Sequence, residues 1–319
     1  MTDNSSLSSR AIIGAYYARL EVNPGMAWVD GISNLFNSDQ SSETYNWIGQ
    51  TPAMREWIGS RQAKGFTGQG VTIVNKHYEA TIEFAVRDVL RDKTGQIMDR
   101  MREFADRGST HWASLLSTLL LNGASALCYD GQYFFDTDHS EGDSGSQSNK
   151  ITVDISALPT GGNTHGTVTA PAVEEMQQSI IAGITQILGF KDDRGEPMNE
   201  NASRFMVIVP ASLYTVAIAA VSPLLTAQLT QNMNPNMISG LMVDVQMNTR
   251  LTWTDTFAVV RTDSPIKAFI RQSEQELELA AKAEGSEFEF DNKAWQFGID
   301  AWRGVGYGHW QRAVQVTMV

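Results

Sequence analysis

The sequence contains a single cysteine, Cys128, among 319 residues. One cysteine excludes an internal disulfide framework and any zinc site built on paired cysteines. Long apolar runs are also missing, because no stretch approaches the roughly 18 residues that a membrane-spanning helix needs. The first ten residues, MTDNSSLSSR, show neither the basic nor the apolar region of a signal peptide. We therefore expect a protein of a reducing cytoplasm with no membrane partner.

Basic residues are scarce relative to acidic ones, and the formal net charge is −12. Residues 130–200 account for most of the imbalance, with 12 acidic and 3 basic residues. A reader of duplex DNA normally presents a basic face to the phosphates. The charge balance therefore argues against specific nucleic-acid recognition, whereas the 42 % apolar content allows a sizeable core.

The common catalytic and nucleotide-binding motifs are missing as well. GFTGQG lacks the lysine and hydroxyl residue of a P-loop, and GVGYG lies within an alternating strand pattern instead of a strand–turn–helix unit. GxSxG, HExxH and CxxC do not occur, and the five histidines show no ligand-like spacing. We therefore predict no cofactor, no metal and no enzyme activity.

The stretch CYDGQYFFDTDHSEGDSG, residues 128–145, most resembles a catalytic or metal site. Against the calcium-loop pattern, Asp136 and Asp138 fit positions 1 and 3, but Glu141 and Gln147 stand where glycine and glutamate are required. A nucleophile pair of Cys128 and His139 would need a hydrogen bond between them, which sequence alone does not establish. We interpret the stretch as a turn and a short strand that lead into an acidic loop.

Several segments differ in pattern along the chain. Residues 1–42 are rich in Ser and Asn and are interpreted as an arm instead of a compact unit. Within residues 43–86, two strand-like runs, ETYNWIG and VTIVNKHYEATIEFAV, flank a Gly-rich middle with several bases, which predicts a long hairpin with a broad tip. Residues 172–264 combine helical and strand patterns and are interpreted as an α/β unit.

The longest predicted elements are one helix and one strand. An apolar stripe predicts a helix from Thr94, its expected N-cap, to Asn122, about 43 Å long, with a kink or close contact at Gly108. Residues 295–309 alternate as a strand of about 50 Å, followed by a bend at His309–Trp310. One face of this strand is nearly bare because it carries glycines. We expect the helix to lie along it, and the packing residues are Gly108, Gly304, Gly306 and Gly308.

Four blocks in this order resemble the major head subunit of Mu-like bacteriophages and prophages. They are ETYNWIGQTPAMREWIGSRQAKG, VNKHYEATIEFAVRDVLRD, YDGQYFFDTDH and AWQFGIDAWRGVGYGHW. The resemblance covers roughly residues 10–315. It implies the α+β capsid fold of the Hong Kong 97 type. It further implies self-assembly as hexamers and pentamers into an icosahedral head around double-stranded DNA.

The resemblance also assigns roles to the segments. Residues 1–42 would be the N-terminal arm and residues 43–86 the extended loop over a neighbouring subunit. Residues 87–171 would form a peripheral domain with the spine helix, residues 172–264 the axial domain, and residues 265–319 the return strands. The expected inter-subunit contacts lie on the loop and are Trp47, Arg55, Trp57, Arg61 and Lys64.

The same resemblance implies scaffold, protease and portal partners, a decoration protein, non-specific contact with packaged DNA, and a place in the virion after assembly in the host cytoplasm. Three alternatives stay open at this point. An encapsulin-like shell would load a cargo enzyme instead of DNA. A hydrolase would use Cys128 and His139, and a tail or fibre protein would form a trimer or ring.

Overall fold

The computed structural model describes residues 8–23, 25–45, 70–92, 94–221 and 241–319, and they form a mixed α+β structure. The helices are α1 Ser9–Val22, α2 Trp28–Ile32, α3 Val86–Arg91, α4 Gln96–Ser109, α5 His111–Asn122, α6 Val173–Leu188, α7 over 214–221 and α8 Glu287–Asn292. The strands are β1 Ser33–Asn37, β2 Ser42–Tyr45, β3 Val71–Val74, β4 Lys76–Ala85, β5 Lys150–Val153, β6 Arg204–Val209, β7 Met242–Met247, β8 Thr256–Arg261, β9 Phe269–Lys282, β10 Ala294–Tyr307 and β11 Ala313–Met318. No helix among these residues is long and apolar enough to cross a membrane.

A four-stranded sheet in the order β1-β9-β10-β4 contains the two longest strands. β10 is antiparallel to both β9 and β4, and β1 runs parallel to the start of β9. The pairing of β10 with β9 shifts on both sides of Trp302, where β9 contains extra residues. Helices α1 and α4 cover one face of this sheet, where Tyr16, Met101 and Phe297 are completely buried.

The predicted long helix is two helices that meet at Thr110. The backbone N–H of Thr110 still donates to the carbonyl of Asp106, so this helical hydrogen bond is kept at the break. The predicted N-cap at Thr94 is wrong. The helix begins at Gln96, and the carboxylate of Asp92 accepts hydrogen bonds from the backbone N–H groups at its start. The predicted C-terminal end is confirmed, since α5 ends at Asn122 with Gly123 as its C-cap.

Part of the segment predicted as the N-terminal arm packs against the folded body. Ile12 and Tyr16, one helical turn apart, are fully buried against α4. Arg19 on α1 makes a bidentate ion pair with Asp106 on α4, at 2.7 and 2.9 Å. β1 then joins the four-stranded sheet, so α1 and β1 both pack with it, and the assignment of residues 1–42 as an arm stays a prediction.

A five-stranded sheet in the order β5-β11-β8-β6-β7 forms the second half of the molecule. It includes β6, β7 and β8 from the predicted axial domain, residues 172–264. It also includes β5 and β11, which lie in segments predicted to belong to the peripheral domain. Val314 and Val316 of β11 are fully buried, and Gly183 lets α6 approach β8 and β11 closely. The bend predicted at His309–Trp310 is confirmed as a short 3-10 turn, Trp310–Arg312, that carries the chain from β10 into β11.

The segment predicted as one long hairpin, residues 43–86, contributes strands to two different sheets. β3 and β4 belong to different sheets although the sequence between residues 71 and 86 looks like one strand-like run. Asn75 lies between them, with its backbone N–H donating to Ser41 and its side-chain amide donating to Gln40. β2 and β3 form a two-stranded antiparallel pair, and residues 46–69 between them lie outside the described residues.

Candidate functional site

The helix-covered face of β10 joins the two halves of the molecule. Ile299 faces Gly108 on α4, and the hydroxyl of Tyr307 donates to the carbonyl of Leu119 on α5 at 2.9 Å. A Cβ at Gly108 would lie 3.1 Å from Leu277 Cδ1 and 3.3 Å from Ile299 Cδ1. The glycine therefore brings the end of α4 close to the sheet.

The glycine face of β10 packs against β3 and not against the helix. A Cβ at Gly304 would lie 2.7 Å from Ile73 Cγ2, and one at Gly306 would lie 2.6 Å from Ile73 Cδ1. A Cβ at Gly308 would instead meet backbone oxygens, and it would lie 2.8 Å from that of Lys267. The expectation that these three glycines lie under the helix is therefore wrong, because the large side chains of β10 point to the helices and leave the bare face to β3.

A buried glutamine fixes the β2–β3 pair on this face. Gln272 of β9 accepts a hydrogen bond from the hydroxyl of Tyr45 at 2.9 Å and donates one to the carbonyl of Ile73 at 3.5 Å. Burial raises the pKa of Tyr45 to about 12, with a further contribution from Glu43, so the hydroxyl stays protonated as a donor. The strands on both sides of residues 46–69 are thus anchored to the glycine face.

Two arginines and a tryptophan lie where α4 meets α5. The guanidinium groups of Arg303 and Arg271 lie over the Trp112 ring, 4.5 and 5.5 Å from its centroid. Arg303 is 2 % exposed, and burial lowers its pKa, although Glu276 opposes the shift from 3.4 Å. Arg271 pairs with the exposed Asp30 at 2.5 Å. This cluster was not predicted from the sequence, although Arg303 occupies an inward position in the alternation of β10.

The stretch that begins at Cys128 is a set of structural hydrogen bonds. The thiol of Cys128 donates to the carbonyl of Gly308 at 3.6 Å, and burial, with Asp130, raises its pKa well above the usual value. A reactive cysteine needs the opposite shift, because the thiolate is the nucleophile. The residue therefore has the environment of an inert buried thiol.

The histidine of the same stretch is engaged elsewhere. His139 is fully buried, with Nδ1 2.6 Å from Asp130 Oδ2, Nε2 3.2 Å from Asn149 Oδ1, and its ring stacked on Trp310 at 4.0 Å. Both ring nitrogens are occupied, so His139 is not placed to take a proton from Cys128. Trp310 belongs to the bend before β11, and these contacts hold the stretch to that bend.

The acidic residues of the stretch take part in the same network. The hydroxyl of Tyr129 donates to Glu141 Oε1 at 2.5 Å, and the amide of Gln311 donates to Glu141 at 3.2 Å. Within the described part of the chain, no group of three or more His, Cys, Asp or Glu residues is arranged to hold a metal ion. Glu141 thus connects the loop with the bend through Gln311.

The predicted contact residues Trp47, Arg55, Trp57, Arg61 and Lys64 lie outside the described residues. Their role stays a prediction. The structure does describe the two strands that flank them, β2 and β3, seated on the glycine face of β10.

Two curated proteins match part of the chain. The Mu-like prophage FluMu major head subunit of Haemophilus influenzae is 36% identical over 111 residues, which cover 35% of this chain and 36% of that protein. The major capsid protein of Escherichia phage Mu is 33% identical over 108 residues, covering 34% of this chain and 35% of that protein. The matched segments thus span about a third of the length of these relatives.

Solved capsid structures match nearly the whole chain at low sequence identity. The procapsid of bacteriophage JBD30 gives a TM-score of 0.53 at 20% identity, covering 98% of this chain and 76% of that chain. The capsid of cyanophage P-SCSP1u gives 0.54 at 9% identity, covering 90% and 86%. These similarities confirm the predicted α+β, Hong Kong 97-like capsid fold.

A family model extends the sequence match across both halves of the molecule. It describes the Mu-like prophage major head subunit gpT and matches residues 16–158 and 239–318. The matched residues include the helix–sheet contact, the Cys128 stretch and the glycine face of β10. Because the match covers well over half of the sequence, the chain belongs to the family of Mu-like prophage major head subunits.

Proposed function

We propose that the chain is the major capsid protein of a tailed bacteriophage and self-assembles as hexamers and pentamers into an icosahedral head that encloses double-stranded DNA. The observation that carries this proposal is the family match over residues 16–158 and 239–318. The capsid fold supports it independently of close sequence identity. The encapsulin-like shell and the hydrolase are not favoured by these matches.

Uncovered strand edges in the described residues support a role as a subunit. The outer edge of β4, Lys76–Ala85, has no strand beside it. On the other side of the sheet, β1 pairs only with the first five residues of β9, so the rest of that edge of β9 is uncovered. Unpaired edges of this length are a liability for a solitary protein, and neighbouring chains in a shell would cover them. An acidic wall would also leave packaged DNA only weakly held.

The role is structural and not catalytic in this proposal. The environment of Cys128 supports it, since its pKa is raised by burial and its proton is donated to a carbonyl. Assembly would take place in the bacterial cytoplasm with scaffold, protease and portal proteins, and a decoration protein would bind the finished shell.

Electron microscopy of the full chain tests the main proposal. The chain would be produced alone and together with the other head proteins of its phage, then examined by size-exclusion chromatography and negative staining. Closed polyhedral particles with nuclease-protected DNA in the co-produced sample are expected. Particles that contain a cargo enzyme instead would favour the encapsulin-like alternative, and a soluble trimer or ring under both conditions would contradict a shell subunit.

A charge-reversal pair tests the predicted contacts of the loop. Arg55→Glu combined with Arg61→Glu should abolish normal heads if these residues contact a neighbouring subunit. Arg55→Lys combined with Arg61→Lys is the matched control, because it changes the same positions but keeps their charge, and it should assemble. Normal heads from the Glu variant, with circular dichroism unchanged, would show that the loop does not make these contacts.

A further inference from the structure

A cavity of about 150 Å³, partly open to solvent, lies between the junction of α4 with α5 and the four-stranded sheet. Its walls combine Gly108 and His111 from the helices with Tyr78, Leu277 and Ile299 from the three neighbouring strands. Most of this lining is apolar or aromatic. The family description and the predicted subunit contacts give this cavity no role.

The cavity exists because of two local features. Gly108 brings α4 into contact distance of Leu277 and Ile299, where a Cβ would lie 3.1 and 3.3 Å from their Cδ1 atoms, so the open space lies beside this contact. α5 begins at His111, whose ring lies beside that of Tyr78 with the centroids 4.5 Å apart. An occupant would therefore contact the end of α4, the start of α5 and the sheet at once.

The charges around the cavity disfavour an ionic occupant. Arg107, Glu79 and Asp300 contribute to the lining, but each already has a partner: Arg107 lies 3.5 Å from Glu103, Asp300 lies 3.2 Å from His77, and Glu79 accepts a hydrogen bond from the Thr81 hydroxyl at 3.2 Å. His111 is neutral at pH 7 because burial, with the nearby Arg303, lowers its pKa to about 4. Arg303 Nη1 lies 3.4 Å from His111 Nδ1 and can only donate, so the neutral ring carries its proton on Nε2.

The size of the cavity then restricts the occupant. A closed apolar cavity of about 150 Å³ holds one benzene ring, and the same volume limits the occupant here to a molecule of about that size. We propose that this cavity binds a small neutral aromatic molecule, a single six-membered ring with at most one hydroxyl group. Tyr78, Leu277 and Ile299 would contact the ring, and the Nε2–H of His111 is the donor available for a hydroxyl oxygen.

Phenol is the probe for a binding experiment on the full chain. Saturation-transfer NMR should show transfer to phenol from the native protein and much weaker transfer to benzoate and benzylammonium, which carry charge. The signal should disappear in Gly108→Ala, where the new methyl group points at Leu277 and Ile299. It should also disappear in Ala80→Leu, which adds a side chain from an exposed position of the lining strand β4.

Ala280→Leu is the matched control. It makes the same substitution at an exposed alanine of β9 that does not line the cavity, and it should keep the phenol signal. Circular dichroism would show whether each variant folds. If Gly108→Ala does not fold, Ala80→Leu still tests the proposal. The proposal is overturned if native protein gives no phenol signal, if benzoate or benzylammonium binds equally well, or if folded Ala80→Leu still binds. These outcomes do not depend on whether the chain forms shells.

Discussion

Replacing Gly306 by alanine tests the contact between the glycine face of β10 and β3. The new Cβ would lie 2.6 Å from Ile73 Cδ1 and 2.7 Å from Ile73 Cγ1, well inside van der Waals contact. Ile73 is only 3 % exposed, so it has little room to move away. Overpacking of this kind costs about 1–3 kcal/mol. Alanine in place of a strand glycine stabilises the fold by about 0.5–1 kcal/mol. We therefore expect the free energy of unfolding to fall by about 1 kcal/mol in total.

A double-mutant cycle assigns that loss to one contact. Ile73→Ala alone should cost about 2–5 kcal/mol because it leaves a cavity. In that background the atoms that oppose the new methyl group are gone, so Gly306→Ala should cost nothing or stabilise slightly. The two substitutions should therefore be non-additive by about 1–3 kcal/mol, within the range of directly contacting residues.

Urea unfolding of the unassembled chain, followed by tryptophan fluorescence, measures these differences through the midpoint at constant slope. Gly298→Ala is the control on the same strand, because its nearest neighbour, Thr81 Oγ1, is 3.4 Å away and no loss is expected. Equal stability of Gly306→Ala and the unchanged chain would refute the reasoning. So would an undiminished loss in the Ile73→Ala background.

Four further predictions concern other parts of the molecule. Gly14→Ala should raise the melting temperature, since nothing lies within 4 Å of the added methyl group and alanine favours the helix by about 1 kcal/mol. Gly183→Ala should lower it, because the methyl group would lie 2.8 Å from Val259 Cγ2, and equal shifts in both variants would contradict the packing of α6. Asp92→Asn should destabilise the chain at pH 7 and have no effect in acid. Hydrogen bonds from Ile97 and nearby backbone N–H groups lower the pKa of the Asp92 carboxyl group in the folded state. The stabilisation by this carboxylate is therefore present above the ordinary carboxyl pKa range and disappears as the pH falls through the folded pKa. A constant difference in melting temperature down to acid pH would show that the charge of Asp92 has no such role. Finally, iodoacetamide should label Cys128 at pH 7 only after unfolding in urea, as mass spectrometry would show, and rapid labelling of the native chain would contradict its burial.

Local patterns predicted the elements whose signals lie within a few residues. The end of α5 at Asn122 follows from Asn122-Gly123, and the turn at Trp310 follows from the change of alternation there. The break at Thr110 was harder to locate, because the apolar stripe continues on both sides of it. Its only signal was Gly108, two residues earlier, and the preceding cap was missed because the carboxylate of Asp92 reaches over Gly95 to the helix start.

The packing of the N-terminal residues depended on partners far away in the sequence. Ser and Asn content made residues 1–42 look like an arm, yet Ile12 and Tyr16 of α1 are buried against α4. The ion pair of Arg19 with Asp106 joins residues 87 positions apart. Composition does not identify such a partner, because one short helix carries too few apolar residues to distinguish docking from exposure.

The same limit explains the error about the glycine face. Alternation along β10 correctly separated a face of large side chains from a face of glycines, but it does not identify the element on each face. A helix packs best on large side chains, whereas a bare face admits the close approach of a strand, here through Ile73. The glycines therefore anchor the β2–β3 pair, and with it both ends of the segment that carries Arg55 and Arg61. If that segment contacts neighbouring subunits as we propose, Gly306→Ala should impair assembly by loosening the base of the loop, even at temperatures where the rest of the subunit stays folded.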